Sequence, residues 1–291
     1  MSANTIEVSC DLCGSRERKL ITTEYGYPIY KCADCTLAYV GRLPPIEDGR
    51  IFGEYYREGQ AEIEANRERY KSVITFLLDE AEKLRPCGKI LDVGCGFGFF
   101  LAEARQRGWE PYGTELSEVA VEYARRENDL QNVVYADLEN ADFGDVKFDV
   151  INLTNVLEHV PSPTAILNAC KARLAEDGIL LIRVPNMEFN DLKHSLLPVL
   201  RTLKLVPGGG ETCYLASPPP THLTGFSNRT LRRYFEKTGL RILDVKPSKL
   251  SGMANERTAF RILEKAVGLV FGLSFSRIDL SPTILAIAAR R

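Results

Sequence analysis

Apolar positions along the chain change period several times, and each change predicts an element. Between residues 55 and 84 they recur at helical spacing: Tyr70, Val73, Ile74, Leu77, Leu78, Ala81 and Leu84 share one face, and Asp79, Glu80, Glu82 and Lys83 lie opposite. The pattern predicts one or two helices that Pro86 and Gly88 end. From Ile90 onward short apolar runs alternate with helical stretches. Strands are predicted near 89–93, 110–114, 133–136, 148–153 and 179–184, and helices near 98–107, 117–127 and 163–174. Such alternation implies a doubly wound α/β fold with a mostly parallel sheet. Residues 186–220 depart from it, with a predicted helix over 190–205 followed by Pro207-Gly208-Gly209-Gly210 and Ser217-Pro218-Pro219-Pro220. This stretch reads as a lid or substrate-recognition insertion. Arg241 to Val245 and Thr283 to Ala288 are the last two predicted strands. A further helical pattern through Phe260, Leu263 and Val267 runs into the apolar residues 266–273, which predicts core packing, with peripheral membrane contact or partner docking as the alternative.

One of the strand-to-helix changes carries chemistry. Lys89-Ile90-Leu91-Asp92-Val93-Gly94-Cys95-Gly96-Phe97-Gly98 is an apolar run, an acid and three glycines at alternate positions. Glycine adopts positive φ and lets backbone N–H groups approach a ligand, at which the following helix aims its positive end. A dinucleotide fingerprint would place a third glycine where Phe99 stands, which disfavours a nicotinamide cofactor. Asp92 precedes the turn, and Glu115 closes the second predicted strand, where a carboxylate can accept both hydroxyls of a ribose.

The segment Leu91 to Gly98 resembles the first motif of class I S-adenosylmethionine-dependent methyltransferases. Further stations of that family line up in order over roughly residues 88–246 and again at the last strand. Glu115, followed by Leu116, matches the ribose-binding acid, and Asp137 with Leu138 matches the pair set against the adenine. Phe148 to Val160 resembles the fourth strand and the start of the substrate side, and Leu174 to Ile182 the helix end, glycine turn and fifth strand. The resemblance implies a seven-stranded Rossmann-like sheet whose last strand is antiparallel. It also implies a cofactor set of Asp92, Gly94, Cys95, Gly96, Gly98, Phe99, Glu115, Leu116, Asp137, Leu138 and Asn155. Tyr55, Tyr56 and Tyr70 resemble upstream aromatics that close over the methionine end of the cofactor, with a place in the helix core as the plainer alternative.

The eight cysteines divide into two groups. Cys10-Asp11-Leu12-Cys13 and Cys32-Ala33-Asp34-Cys35 are two Cys-x-x-Cys knuckles separated by 18 residues, a spacing that delivers four thiolates to one tetrahedral zinc. Four thiolates leave no open coordination position, so the zinc is read as structural. Residues 22–30 between the pairs are a candidate hairpin, and the whole resembles a zinc ribbon. Cys87, Cys95, Cys170 and Cys213 have no such partners along the sequence and read as small packing residues. A ribbon ahead of a class I domain resembles a bacterial group whose assigned members act on sugars or secondary metabolites. The expected organisation is a ribbon at 1–45, a helical linker and cofactor cover at 46–87, and the methyltransferase domain at 88–291.

The charge balance of 37 basic against 39 acidic residues, a formal −2, shows no basic stripe and argues against nucleic acid as a partner. The N-terminal residues lack a secretory pattern and no apolar run reaches the roughly 18 residues of a membrane span, so a cytoplasmic protein is expected. Three histidines are present. His159, just after Glu158, lies where the resemblance places the methyl acceptor and is the first choice for a general base; the plainer role of the pair is to cap the next loop. His222 is expected to contact substrate beside them, and His194 to be a solvated residue of the insertion helix. A metal-assisted variant through Glu158, His159 and His222 resembles the Glu-x-x-Glu-His pattern of small-RNA terminal methyltransferases, but Asn155 stands in place of its first carboxylate. The sequence therefore predicts methyl transfer from S-adenosylmethionine to a hydroxyl of a small molecule or glycan. The alternatives are a non-catalytic module docking a protein or nucleic acid through its ribbon, and a nicotinamide-dependent oxidoreductase.

Overall fold

The N-terminal stretch forms five short strands: β1 (Ile6–Glu7), β2 (Arg18–Glu24), β3 (Tyr27–Cys32), β4 (Ala38–Val40) and β5 (Arg42–Leu43). The structure, a computed structural model, describes residues 6–43, 50–65, 67–202, 213–249 and 281–291. Pro44-Pro45, the 207–210 run and the apolar pattern at 260–273 lie outside the described residues. β2 and β3 form the predicted hairpin, turning at Tyr25 and Gly26 with φ of 51° and 82°. Positive φ at both central residues matches the right-handed twist of the flanking strands.

Two helices follow, α1 (Arg50–Ala65) and α2 (Arg67–Glu82). α2 buries Val73, Leu77, Leu78 and Ala81 as the periodicity predicts, whereas Tyr70 and Leu84 are exposed. Strands and helices then alternate: β6 (Lys89–Val93), α3 (Phe99–Gln106), β7 (Glu110–Glu115), α4 (Glu118–Arg126), β8 (Val133–Tyr135), β9 (Phe148–Thr154), α5 (Pro163–Arg173) and β10 (Leu174–Pro185). β10 starts earlier than its apolar run, because a register shift against β9 between Leu174 and Ile179 keeps the intervening residues in the strand. α6 (Met187–Thr202) starts three residues before the predicted 190, where the Asn186 side chain accepts the N–H of Glu188 and caps the turn. β11 (Thr224–Gly225), α7 (Asn228–Thr238), β12 (Leu240–Pro247) and β13 (Thr283–Arg290) complete the described chain.

The main sheet has seven strands in the order β12-β13-β10-β9-β6-β7-β8. β6 to β10 pair in parallel and β13 runs antiparallel to both neighbours. The chain winds outward from β6 to β8 and then returns to lay β9 on the other side of β6. That reversal opens the crevice at which doubly wound sheets bind ligands. Apolar layers cover both faces. One is built on α2, α3 and α4, with Leu77, Leu101 and Val121; the other joins Leu167, Leu231 and Phe235 to ribbon residues Leu12, Leu37 and Tyr39. A ribbon of this size buries little on its own. Here it shares a core, and β11, from far along the chain, adds the fourth strand of its sheet in the order β11-β4-β3-β2.

Candidate active site

The glycine loop lies at the C-terminal end of β6, beside the crevice. Gly94, Gly96 and Gly98 have φ of 68°, 54° and 77°, which L side chains rarely adopt. At Gly96 space is limiting too, since an added Cβ would lie 2.6 Å from the Tyr56 hydroxyl oxygen of α1. Glu115, at the end of β7, is buried and accepts three backbone N–H groups: Gly96 at 2.9 Å, Leu116 at 2.8 Å and Ser117 at 3.0 Å. Burial raises its pKa while the three amides oppose the rise. The loop thus ties itself to the carboxylate that sequence reasoning assigns to the ribose.

Asp92 points into the same crevice and accepts the side-chain N–H of Asn152, opposite it on β9, at 2.7 Å. Burial pushes its pKa up to about 7; the Asn152 bond pulls it down and the Glu115 charge adds to the rise. Cys95 is buried with its thiol pKa raised well above the usual value by burial, a resting thiol rather than a nucleophile. Phe99 opens α3 and packs edge-on to Phe97 and Tyr123, with the Arg67 guanidinium 5.0 Å above its ring. Leu138 is buried, and Asp137 accepts the backbone and side-chain N–H groups of Asn140 at 2.8 and 2.9 Å.

The acceptor-side residues converge from three parts of the chain. Glu158 is 1% exposed, and neither carboxylate oxygen has a hydrogen-bond partner beyond its own backbone. Burial pushes its pKa up to about 8 against the pull of Arg183. The rings of His159 and His222 meet edge to face with centroids 4.7 Å apart. Nδ1 of His159 contacts the Thr221 carbonyl at 2.7 Å, and Nδ1 of His222 the Leu215 carbonyl at 2.6 Å. With those nitrogens donating, each ring keeps its basic nitrogen at Nε2. Burial lowers both imidazole pKa values, that of His222 to about 4. One ligand atom from each of Glu158, His159 and His222 lies within 4.8 Å of the others. Asn155, with φ of 55°, gives its side-chain oxygen to Arg183 at 3.0 Å. His194 is not a solvated residue: its Nε2 contacts the Cys213 carbonyl at 3.2 Å and its ring meets Tyr214.

In the ribbon, Cys10 and Cys35 approach to 3.3 Å between sulfurs and Cys13 and Cys32 to 3.5 Å, with all four sulfurs within 4.8 Å of one another. Thiolates about 2.3 Å from a central ion would sit at such separations, so the set fits a tetrahedral zinc.

A family model described as a methyltransferase domain matches residues 63–245. The chain belongs to this methyltransferase family. That membership displaces the nicotinamide alternative. Among relatives of the methyltransferase domain is the ubiquinone biosynthesis O-methyltransferase of Neisseria meningitidis, 34% identical over 132 residues, which make up 42% of this chain and 55% of that protein. The enzyme of the same name from Coxiella burnetii is 28% identical over 171 residues, 57% of this chain and 69% of that protein. The chain thus spans about half the length of the first of these relatives, at 55%. Two solved structures share the fold. A S-adenosylmethionine-dependent methyltransferase from Thermotoga maritima superposes with a TM-score of 0.53 at 16% identity, covering 82% of this chain and 99% of that one. Magnesium protoporphyrin IX methyltransferase from Synechocystis with bound S-adenosylhomocysteine gives 0.50 at 15%, covering 84% and 100%.

Two residues that organise the methyltransferase crevice were missed in the sequence. Asn152 and Arg183 are buried polar side chains in otherwise apolar strands. The signal was present: a polar residue inside a doubly covered strand requires a partner. Among the described residues, no helix is long and apolar enough to cross a membrane.

Proposed function

We propose that this chain transfers a methyl group from S-adenosylmethionine to a hydroxyl oxygen of a small molecule or glycan. The observation that carries the reading is Glu115, a buried carboxylate at a strand end, held by three amides against a loop of positive-φ glycines. Its remaining acceptor capacity suits ribose hydroxyls, with Asp137 and Leu138 on the adenine side and Asp92 beneath the loop. Oxygen as the acceptor atom is supported by the O-methyltransferase relatives and by the buried histidine pair.

The cofactor supplies an electrophilic methyl on its sulfonium. The chain's own task is then to hold the acceptor hydroxyl in line and take its proton. His159 is placed for that: burial keeps the imidazole neutral, and the Thr221 carbonyl holds the proton at Nδ1 so that Nε2 acts as the base. His222 and Glu158 flank it. Cys10, Cys13, Cys32 and Cys35 would hold zinc as a fold-stabilising ion that takes no part in the transfer.

Calorimetric titration of S-adenosylmethionine and its demethylated product into the zinc-loaded protein tests the reading. Micromolar binding that Glu115→Ala abolishes supports it, and no binding overturns it. A second reading is favoured by the unpartnered Glu158 carboxylate: with His159 and His222 it would bind a divalent cation that lowers the acceptor's pKa in place of a base. Saturable Mn²⁺ binding lost in Glu158→Gln selects this variant, and no Mn²⁺ binding selects the base.

A further inference from the structure

The two histidines owe their orientation to carbonyls, and those carbonyls are held from the ribbon. His222 donates from Nδ1 to Leu215, and the neighbouring Tyr214 N–H is bound by the Glu24 carboxylate at the end of β2, at 3.0 and 3.3 Å. The Tyr214 hydroxyl meets Asp191 of α6, which is also paired with ribbon residue Lys31 at 2.9 Å. A second link is made by backbone. The Val40 N–H of β4 donates to the Leu223 carbonyl at 2.8 Å, and the Leu223 N–H donates to the Glu158 carbonyl at 2.7 Å. Beside it β4 pairs antiparallel with β11, so the chain that carries Thr221 and His222 runs into the ribbon sheet. The third link starts inside the first cysteine knuckle. Asp11 accepts the Ser162 hydroxyl at 2.7 Å and the Thr164 N–H and hydroxyl at 3.1 and 2.7 Å, capping α5 just after Glu158-His159.

All three links end on acceptor-side segments: 158–164, 191 and 214–224. We propose that the four-cysteine ribbon is the positioning wall of the acceptor site, with Glu24 and Asp11 as positioning residues that set the tautomer and direction of His222 and His159. The ribbon's contacts are thereby committed within the chain rather than offered to an outside partner. The proposal rests on the reading of the histidine pair as the acceptor side. The physical reason for such a coupling is that a small metal-clamped sheet is stiff, whereas the segment 213–223 carries little regular structure of its own.

Long-range ¹H–¹⁵N spectra of the histidine side chains, recorded on the zinc-loaded full chain, test it alongside S-adenosylhomocysteine calorimetry. In the wild-type protein both rings are expected to report the Nδ1–H tautomer. Glu24→Ala should move His222, and Asp11→Ala His159, toward a mixture of tautomers, with cofactor-product affinity within about twofold of wild type. Glu24→Gln, which retains an acceptor for the Tyr214 N–H, should restore the His222 signal. Unchanged tautomers in both alanine variants would overturn the proposal, as would product affinity falling in parallel with the tautomer change. Should Asp11→Ala fail to fold, the Glu24 pair decides. A wild-type protein that binds no product yet shows the tautomer shifts breaks the functional reading and leaves the ribbon coupling standing.

Discussion

Gly94, Gly96, Gly98 and Glu115 come from one strand-loop-helix-strand unit, whereas Glu158, His159 and His222 meet only because β9, the 213–223 segment and the ribbon fold onto one another. The cofactor side is contiguous and is made largely of backbone; its amides point inward because glycine permits the turns. The acceptor side is assembled from long-range contacts and is made of side chains, two of whose donors end on carbonyls far away in sequence. Local geometry serves what the family shares, and long-range geometry is free to differ between members that use different acceptors.

The largest effect is expected on the acceptor side. His159→Asn should reduce turnover by about 100- to 10,000-fold, the usual span for loss of a general base, and leave cofactor affinity unchanged. Steady-state kinetics with product calorimetry checks this; affinity falling with turnover would merge the two regions that the structure separates. On the cofactor side, Glu115→Ala should weaken S-adenosylmethionine binding by about 100-fold, because it removes a charged acceptor and leaves the Gly96, Leu116 and Ser117 amides without it.

Asp92 sharpens the comparison through pH. Its folded-state pKa, pushed up to about 7 by burial, exceeds the ordinary carboxylate value. Between pH 4 and 7 the folded protein therefore keeps a proton that the unfolded chain has lost, so stability falls as pH rises across that window. Asp92→Asn keeps an acceptor for Asn152 and should flatten the decline, raising stability at pH 8 by an amount of order 2 kcal/mol. Denaturant titrations of the cofactor-free protein at pH 5 and pH 8 read it, with Glu115 contributing a residual slope of the same sign. The smallest effect is expected at Gly96→Ala, where strain at φ 54° and the approach of Tyr56 should cost about 1–2 kcal/mol in the same titrations. An unchanged midpoint would mean that α1 does not rest on the loop.

The order of strands and helices was legible because each repeats a local pattern: alternating runs such as Ile90 to Val93, or the helical face through Leu77 and Ala81. The cysteine knuckles and the glycine loop were legible for the same reason, since their residues sit a few positions apart and backbone conformation brings them together. The Asp92–Asn152 pair was not, because register between β6 and β9 depends on a connection of more than fifty residues, from 94 to 147. Nor was the solvation of His194, which a tertiary contact with Cys213 and Tyr214 removes.

By itself the sequence determined an α/β chain with a cofactor loop at Gly94–Gly98, a ribose-side acid at Glu115 and a four-thiolate cluster. Each of these follows from short-range sterics and ligand spacing. Only the tertiary structure decided that Glu158, His159 and His222 share one buried place, that Asn152 and Arg183 serve it, and that the ribbon holds its walls. Those outcomes depend on which apolar faces bury one another and on where the remaining backbone N–H and C=O groups find partners, and neither is set within any one segment of the chain.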